Sequence, residues 1–216
     1  MKILVLNPNS TAQLNDLIKR SISCDRSMDA DVINPVGGPA AIQTADDEVE
    51  AVHHSVALIS ELAARVDGYD ALIIACYGDP GLAEIAAMVS IPVVGIAQTS
   101  MAVAAGLSDN FGLIVAKSSA IEIMSKLATS YGYDLTRDAI EASGVPVLDM
   151  MHDPDGSYPA ILAAGIRLRN KGIDTVCLGC ASMGQFAARL RVDSGLTVID
   201  SVKVTESVVR AAHRGR

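Results

Sequence analysis

Two short stretches of this chain share one pattern, ALIIACYGDPG at residues 71–81 and TVCLGCASMG at residues 175–184. In each, a continuous apolar run of strand length leads to a cysteine, Cys76 in the first and Cys180 in the second, and turn or helix-start residues follow. Such runs predict buried strands of a parallel sheet. We therefore expect each cysteine at the carboxyl end of a strand and near the start of a helix, where α/β sheets bind ligands and thiolates are stabilised.

Strand-like and helix-like segments alternate along the chain, an order typical of a mostly parallel sheet with helices on both faces. A strand, a helix and a cysteine-bearing strand occur from Lys2 to Cys76 and again, roughly, from Gly112 to Cys180. We predict an α/β fold of two pseudo-symmetric lobes with the active site in the cleft between them. The predicted lobes are residues 1–97 and 98–202, with a final helix at 203–216 packing back on the first.

Apolar periodicity gives the predicted elements. We predict strands at 2–7, 31–35, 71–75, 93–96, 112–115, 138–142, 175–178 and 198–199. We predict helices at 11–23, 46–65, 81–89, 99–106, 119–131, 158–171, 184–191 and 203–214.

Composition limits the partners. The chain has 216 residues, half of them apolar, and a net charge of −8, which argues against nucleic acid because phosphate binding needs a basic face. No run approaches the ~20 apolar residues of a membrane span, and no signal peptide is visible, so we expect a cytoplasmic protein with reduced cysteines. Ala-rich helices at 85–89 and 101–106 suit a homo-oligomer, although burial within one chain explains them equally well.

Two thiols facing one pocket suggest two-base proton chemistry on carbon, because a thiolate can remove a proton while nearby N–H groups stabilise the enolate. The stretch NPNST at residues 7–11 follows the first strand, and Asn9, Ser10 or Thr11 is expected to cap the next helix and leave N–H groups for substrate. Neither GxGxxG in this turn nor GxxxxGK[ST] anywhere is present, so no nucleotide cofactor is predicted.

The remaining cysteines and the histidines are predicted to have no catalytic or metal-binding role. Cys177 and Cys180 form a CxxC, but no second CxxC or His pair completes a metal site, so Cys177 is assigned to the core and no metal is predicted. Cys24 is expected near a helix end without a role. The histidines are expected in solvated or packed positions, His53 and His54 within a helix, His152 in a loop and His213 in the basic tail.

Five segments together carry a resemblance: NPNST at 7–11, GPAAI at 38–42 followed by Asp47 and Glu48, CYGDPG at 76–81, IPVVGI at 91–96, and GCASM at 179–183. The chain resembles the aspartate/glutamate/hydantoin racemase family, and more closely its hydantoin and allantoin racemase branch. The matching segments extend from residue 7 to residue 183, and the combination of CxGDPG with GCAxM is fairly specific.

The resemblance implies a cofactor-independent racemase of 5-substituted hydantoins or allantoin. Cys76 and Cys180 would be the acid and base on opposite faces of the stereocentre, one as thiolate and the other as thiol, with roles that swap with the substrate's hand. The substrate-binding set that we predict is Asn9, Ser10, Tyr77, Gly78, Ser118, Ala181 and Ser182.

Two departures from the family pattern bear on the substrate. Ser118 and Ser119 lie, shifted in register, where members often carry a Thr pair, and Ala181-Ser182 replaces the Thr-His of the amino-acid racemases. The second change favours a cyclic ureide. The alternatives are an aspartate or glutamate racemase, a decarboxylase or cis–trans isomerase on the same scaffold, and a non-catalytic ureide-binding protein.

Overall fold

Two parallel four-stranded sheets form the framework of the computed structural model, which describes residues 1–22 and 29–215. The first half contains β1 (Lys2–Leu6), α1 (Leu14–Ile22), β2 (Asp29–Ile33), α2 (Ala45–Glu61), α3 (Ala63–Val66), β3 (Ala71–Ile74), α4 (Leu82–Ala86), β4 (Val93–Gly95) and α5 (Ile96–Leu107). The second contains β5 (Phe111–Val115), α6 (Ala120–Ser130), β6 (Ile140–Ala142), α7 (Val147–His152), α8 (Pro154–Asn170), β7 (Thr175–Leu178), α9 (Ala187–Ser194), β8 (Thr197–Ile199) and α10 (Ser201–Arg214). The predicted two-lobed α/β class is confirmed.

The chain divides into two compact units within α5. Met1–Thr99 and Val202–Arg216 form the first unit, and Ser100–Ser201 form the second. The strand order is β2-β1-β3-β4 in the first sheet and β6-β5-β7-β8 in the second, so both sheets have the same topology. The predicted cleft between the lobes stays a prediction.

Aliphatic strands fill the core of each unit. In the first, Leu4, Leu6, Leu72 and Ile74 form a buried cluster with Ile59 of α2. In the second, the residues of β5 and β7 are buried throughout. Strands buried along their whole length have continuous apolar sequences, which is why their positions could be predicted.

The two cysteines occupy equivalent positions in the two sheets. Leu6 pairs with Ile74 in the first sheet, as Ile114 pairs with Leu178 in the second. One residue further, the Ala75 amide donates to the Leu6 carbonyl at 2.8 Å, and the Gly179 amide donates to the Ile114 carbonyl at 2.8 Å. Cys76 and Cys180 are the next residues, so each directly follows the last hydrogen bond between the two central strands.

Several predicted elements are wrong in detail. The helix predicted at 46–65 is two helices interrupted at Leu62, and the helix predicted at 184–191 is a 3-10 segment, Ala181–Phe186, followed by α9. His152 ends α7 and is not in a loop. α7 was missed because six residues after Pro146 are too few to show a helical period. Cys24 lies outside the described residues.

Candidate active site

A tight turn carries Cys76 at the end of β3. The Asp79 amide donates to the Cys76 carbonyl at 3.0 Å, with Tyr77 and Gly78 between them. Cys76 and Gly78 keep part of their surface exposed, whereas Tyr77 is buried. Of the two predicted substrate contacts in this turn, Gly78 therefore has accessible surface, and the Tyr77 ring belongs to the core.

Asp79 fixes this turn to the start of α5. Its buried carboxylate accepts hydrogen bonds from the Ala97 amide at 3.0 Å and the Gln98 amide at 2.8 Å. The residue has a φ of 47°, which is uncommon outside glycine. A carboxylate at a helix N-terminus also interacts favourably with the helix dipole. Asp79 therefore caps α5 and not the helix that follows it in the chain, which begins at Leu82.

In the loop after β1, the amides of Ser10 and Thr11 are bonded within the chain. The Ser10 amide donates to the Pro39 carbonyl at 3.0 Å, and the Thr11 amide donates to Asn9 Oδ1 at 3.0 Å. The Ser10 hydroxyl donates to the Gly38 carbonyl at 3.0 Å. The predicted capping by Asn9, Ser10 or Thr11 is wrong, since α1 begins at Leu14. Asn9 is buried, and Ser10 is partly exposed.

Glu48 lies beside the Cys76 turn, although it was not among the predicted site residues. Its neighbour Asp47 forms a capping box with Thr44 at the start of α2. Glu48 Oε1 lies 3.8 Å from the position that a Cβ atom on Gly78 would occupy. Partial burial raises the pKa of its carboxyl group, and among residues 1–22 and 29–215 this side chain makes no hydrogen bond or ion pair. The Asp47-Glu48 pair was the available sequence signal.

The environment of Cys180 acts on the thiol in opposite directions. Burial raises the pKa of Cys180, while hydrogen bonds from the Ser182 hydroxyl and from the amides of Ser182 and Met183 favour the thiolate. The raising effect of burial dominates, although the residue retains some exposed surface. The Cys180 Sγ to Ser182 Oγ distance is 3.0 Å. A thiol that holds its proton at neutral pH, with donors ready for the anion, suits a proton donor.

The other predicted contacts in the second unit differ in exposure. Ser182 is fully buried and Ala181 nearly so, whereas Ser118 is exposed. Gly179 lies against β5, because a Cβ atom there would be 2.9 Å from the Ile114 carbonyl oxygen and 3.0 Å from Val115 Cγ1. This close approach requires glycine before Cys180.

Cys177 is confirmed as a core residue. It is fully buried, and its Sγ donates to the Ser100 carbonyl at 3.4 Å. Cys76, Cys177 and Cys180 form no disulfide. Within the described ranges, no three His, Cys, Asp or Glu side chains are grouped as a metal site would require.

The chain is similar to known proteins in sequence and in fold. The sequence model of the Asp/Glu/Hydantoin racemase family matches residues 3–208. The chain belongs to the Asp/Glu/hydantoin racemase family. It is therefore a racemase, an isomerase, as the resemblance predicted.

Named relatives of this racemase span almost its whole length. It is 31% identical to a hydantoin racemase of Pseudomonas sp. (strain NS671), over 97% of this chain and 86% of that protein. An allantoin racemase structure from Pseudomonas fluorescens shares its fold with a TM-score of 0.89 at 23% identity, covering 99% of this chain and 91% of the other. An allantoin racemase structure from Klebsiella pneumoniae has a TM-score of 0.89 at 25% identity, covering 99% of this chain and 88% of the other.

No helix in the described ranges of this racemase has both the length and the apolar character that a bilayer crossing requires.

Proposed function

We propose that this racemase inverts 5-substituted hydantoins or allantoin by proton transfer through Cys76 and Cys180. The equivalent placement of the two residues at the ends of β3 and β7 carries the proposal. The similarity to hydantoin racemases in sequence and to allantoin racemases in fold supports the substrate class. The proposal requires both thiols to reach one stereocentre from opposite faces.

The reaction needs one thiolate and one thiol. The thiolate takes the proton from the ring carbon C5, and the electron pair left on carbon delocalises into the adjacent carbonyl as an enolate. The thiol then gives its proton to the other face of C5. One proton has entered the first sulfur and one has left the second, so the product is the other enantiomer and the two protonation states are exchanged.

Cys180 is the thiol member of the pair before substrate binds. Burial raises its pKa, so it carries its proton at neutral pH. Once that proton is transferred, Ser182 and the amides of Ser182 and Met183 stabilise the new thiolate. The two amides are fixed before reaction, which lowers the cost of forming charge in a buried place.

A cyclic ureide fits the surroundings of the Cys76 turn. Hydantoins and allantoin carry ring N–H donors, and the Glu48 carboxylate beside Gly78 is an acceptor with no other partner among the described side chains. Aspartate and glutamate would bring a further carboxylate toward the same negative group. The charge of Glu48 therefore favours the ureide over the amino-acid alternative.

The proposal also covers the binding partner of the enzyme, its oligomeric state and its location. The family acts on small molecules, and we take a ureide as the partner of this chain. Assembly into a homo-oligomer and a cytoplasmic location stay predictions from the sequence alone.

The deciding experiment is proton NMR in D2O with single enantiomers of allantoin, a 5-alkylhydantoin, aspartate and glutamate. The proposal would be supported if the ureides lose both their α-proton signal and their optical rotation, and if racemisation is slower in Cys76→Ser and in Cys180→Ser. Cys177→Ala is the matched control and should retain activity, because Cys177 is in the core.

Other outcomes select the alternatives. Exchange only with aspartate or glutamate would assign an amino-acid racemase, and carbon dioxide release from a disubstituted malonate would assign a decarboxylase. Ureide binding without exchange would assign a binding protein. Racemisation that survives both cysteine substitutions would refute the two-thiol mechanism.

A further inference from the structure

Ser182 has two sulfur neighbours and one proton to donate. Its Oγ lies 3.0 Å from Cys180 Sγ and 3.5 Å from Met150 Sδ. Ser182 and Met150 are both fully buried. This hydroxyl is therefore shielded from bulk solvent, and both of its hydrogen-bond contacts are to sulfur.

The protonation state of Cys180 determines which sulfur accepts. When Cys180 carries its proton, the S–H can donate to Ser182 Oγ and the Ser182 O–H then donates to Met150 Sδ. When Cys180 is a thiolate it can only accept, so the Ser182 O–H turns to Cys180 Sγ. Rotation about one side-chain bond is sufficient, and no proton leaves Ser182.

Met150 is held in place for this exchange. Gln185 Nε2 donates to the Met150 carbonyl at 3.1 Å and to the Ser182 carbonyl at 2.9 Å, which ties α7 to the 3-10 segment after Cys180. A thioether is a weak acceptor, so it can satisfy the hydroxyl in one state and lose it in the other at small cost. A leucine in its place would leave a buried hydroxyl without that acceptor.

We propose that Ser182 is a positioning residue whose hydroxyl switches between Met150 Sδ and Cys180 Sγ as Cys180 gains and loses its proton. The switch rests on the proposed function for its role in turnover, where it would let Cys180 act as acid and as base. It replaces the predicted role of Ser182 as a substrate contact.

The test is the pH dependence of Cys180 alkylation by iodoacetamide, followed by mass spectrometry of the peptide that contains Cys180. Ser182→Ala removes a donor to the thiolate, so the pKa of Cys180 should rise. At pH values below that pKa, the rate of alkylation should fall by about tenfold. Met150→Leu removes the competing acceptor, so the hydroxyl should stay on Cys180, the pKa should fall, and alkylation should accelerate.

Opposite shifts separate the switch from simple packing. Loosening of a buried site would move the pKa in one direction for both variants, and that result, or no shift in either, would overturn the proposal. Met151→Leu is the matched control one residue further along α7 and should leave alkylation unchanged. Met150→Leu conserves volume, so it still tests the switch if Ser182→Ala does not fold.

The alkylation measurement needs no turnover, so the two proposals can fail separately. Opposite shifts in a chain that racemises neither a 5-substituted hydantoin nor allantoin would support the switch and refute the proposed function. Racemisation of these substrates, together with unchanged pH profiles of alkylation in both variants, would support the proposed function and refute the switch.

Discussion

The Asp79 carboxylate accepts a hydrogen bond from the Ala97 amide, 18 residues further along the chain, at 3.0 Å. This bond fixes the Cys76 turn to the N-terminus of α5. We expect Asp79→Ala to lower the free energy of unfolding by about 2 kcal/mol, because a helix cap is lost and buried amides lose their acceptor. Asp79→Asn should cost less, since asparagine tolerates a positive φ and keeps one acceptor oxygen.

Urea unfolding measures both variants, and Gly95→Ala provides an independent perturbation. A Cβ atom on Gly95 would overlap the Asp79 carboxyl group, so this variant should also be destabilised. Gly106→Ala, in α5 with open space around it, is the control and should be neutral or stabilising by up to about 1 kcal/mol. Equal stability of Gly95→Ala and Gly106→Ala would contradict the assigned role of Asp79.

Each cysteine variant should retain half of the exchange chemistry. With one thiol replaced by serine, the other can still remove the proton from the enantiomer that it faces. We therefore expect Cys76→Ser and Cys180→Ser to exchange the α-proton of opposite enantiomers in D2O, without net inversion. Proton NMR with each pure enantiomer checks this. If both variants exchange the α-proton of the same enantiomer, the two bases do not lie on opposite faces of the stereocentre.

The raised pKa of Cys180 predicts a loss of stability at high pH. The folded chain keeps the Cys180 proton where the unfolded chain, with an ordinary value near 9.0, has released it. The free energy of unfolding should therefore fall as pH rises through 9 toward the folded pKa, and this contribution is fully present at lower pH. Racemisation should decline over the same alkaline range, because the reaction needs one protonated thiol.

Cys180→Ser supplies the control for the alkaline measurement. Its stability, measured by urea unfolding at a series of pH values, should depend less on pH above 9 than that of the unmodified chain. Superimposable profiles for the two proteins would show that another group is responsible.

Gly179→Ala should impair catalysis more than the size of a methyl group suggests. The added Cβ would press on the Ile114 carbonyl and on Val115, so the backbone that carries Cys180 has to move. We expect a loss of kcat of about tenfold or more, since small displacements of reacting groups are costly, with a destabilisation of about 1–3 kcal/mol. Wild-type kcat in a folded Gly179→Ala variant would contradict this.

Glu48→Gln should weaken ureide binding with little change in fold. Glutamine keeps the shape of Glu48 but removes its charge, so KM for a hydantoin should rise more than kcat falls. In the unmodified chain, KM should rise as pH falls through the pKa of Glu48, which burial places above 4.5, and the glutamine variant should lack this dependence. Glu50→Gln on the same helix, at a more exposed side chain, is the control. Identical KM profiles for the two variants would remove Glu48 from the site.

Periodicity and residue type were enough to predict much of this protein. Continuous apolar runs marked the buried central strands, and similar runs before Cys76 and Cys180 revealed the internal repeat that the matching strand orders confirm. Short-range structure of this kind depends on which side chains avoid water at a given spacing, and that information is local.

Contacts between distant loops were decided by the tertiary structure. Asp79 lies just before α4 in the chain but caps α5, and the Ser10 amide, in the loop that was expected to offer N–H groups to substrate, is bound to Pro39. Met150 meets Ser182 across 32 positions of sequence, through a helix too short to show a period. The sequence by itself determined the alternation of strands and helices and the position of both cysteines at the ends of strands. Their hydrogen-bond partners depended on strand order and loop approach, which no local pattern encodes.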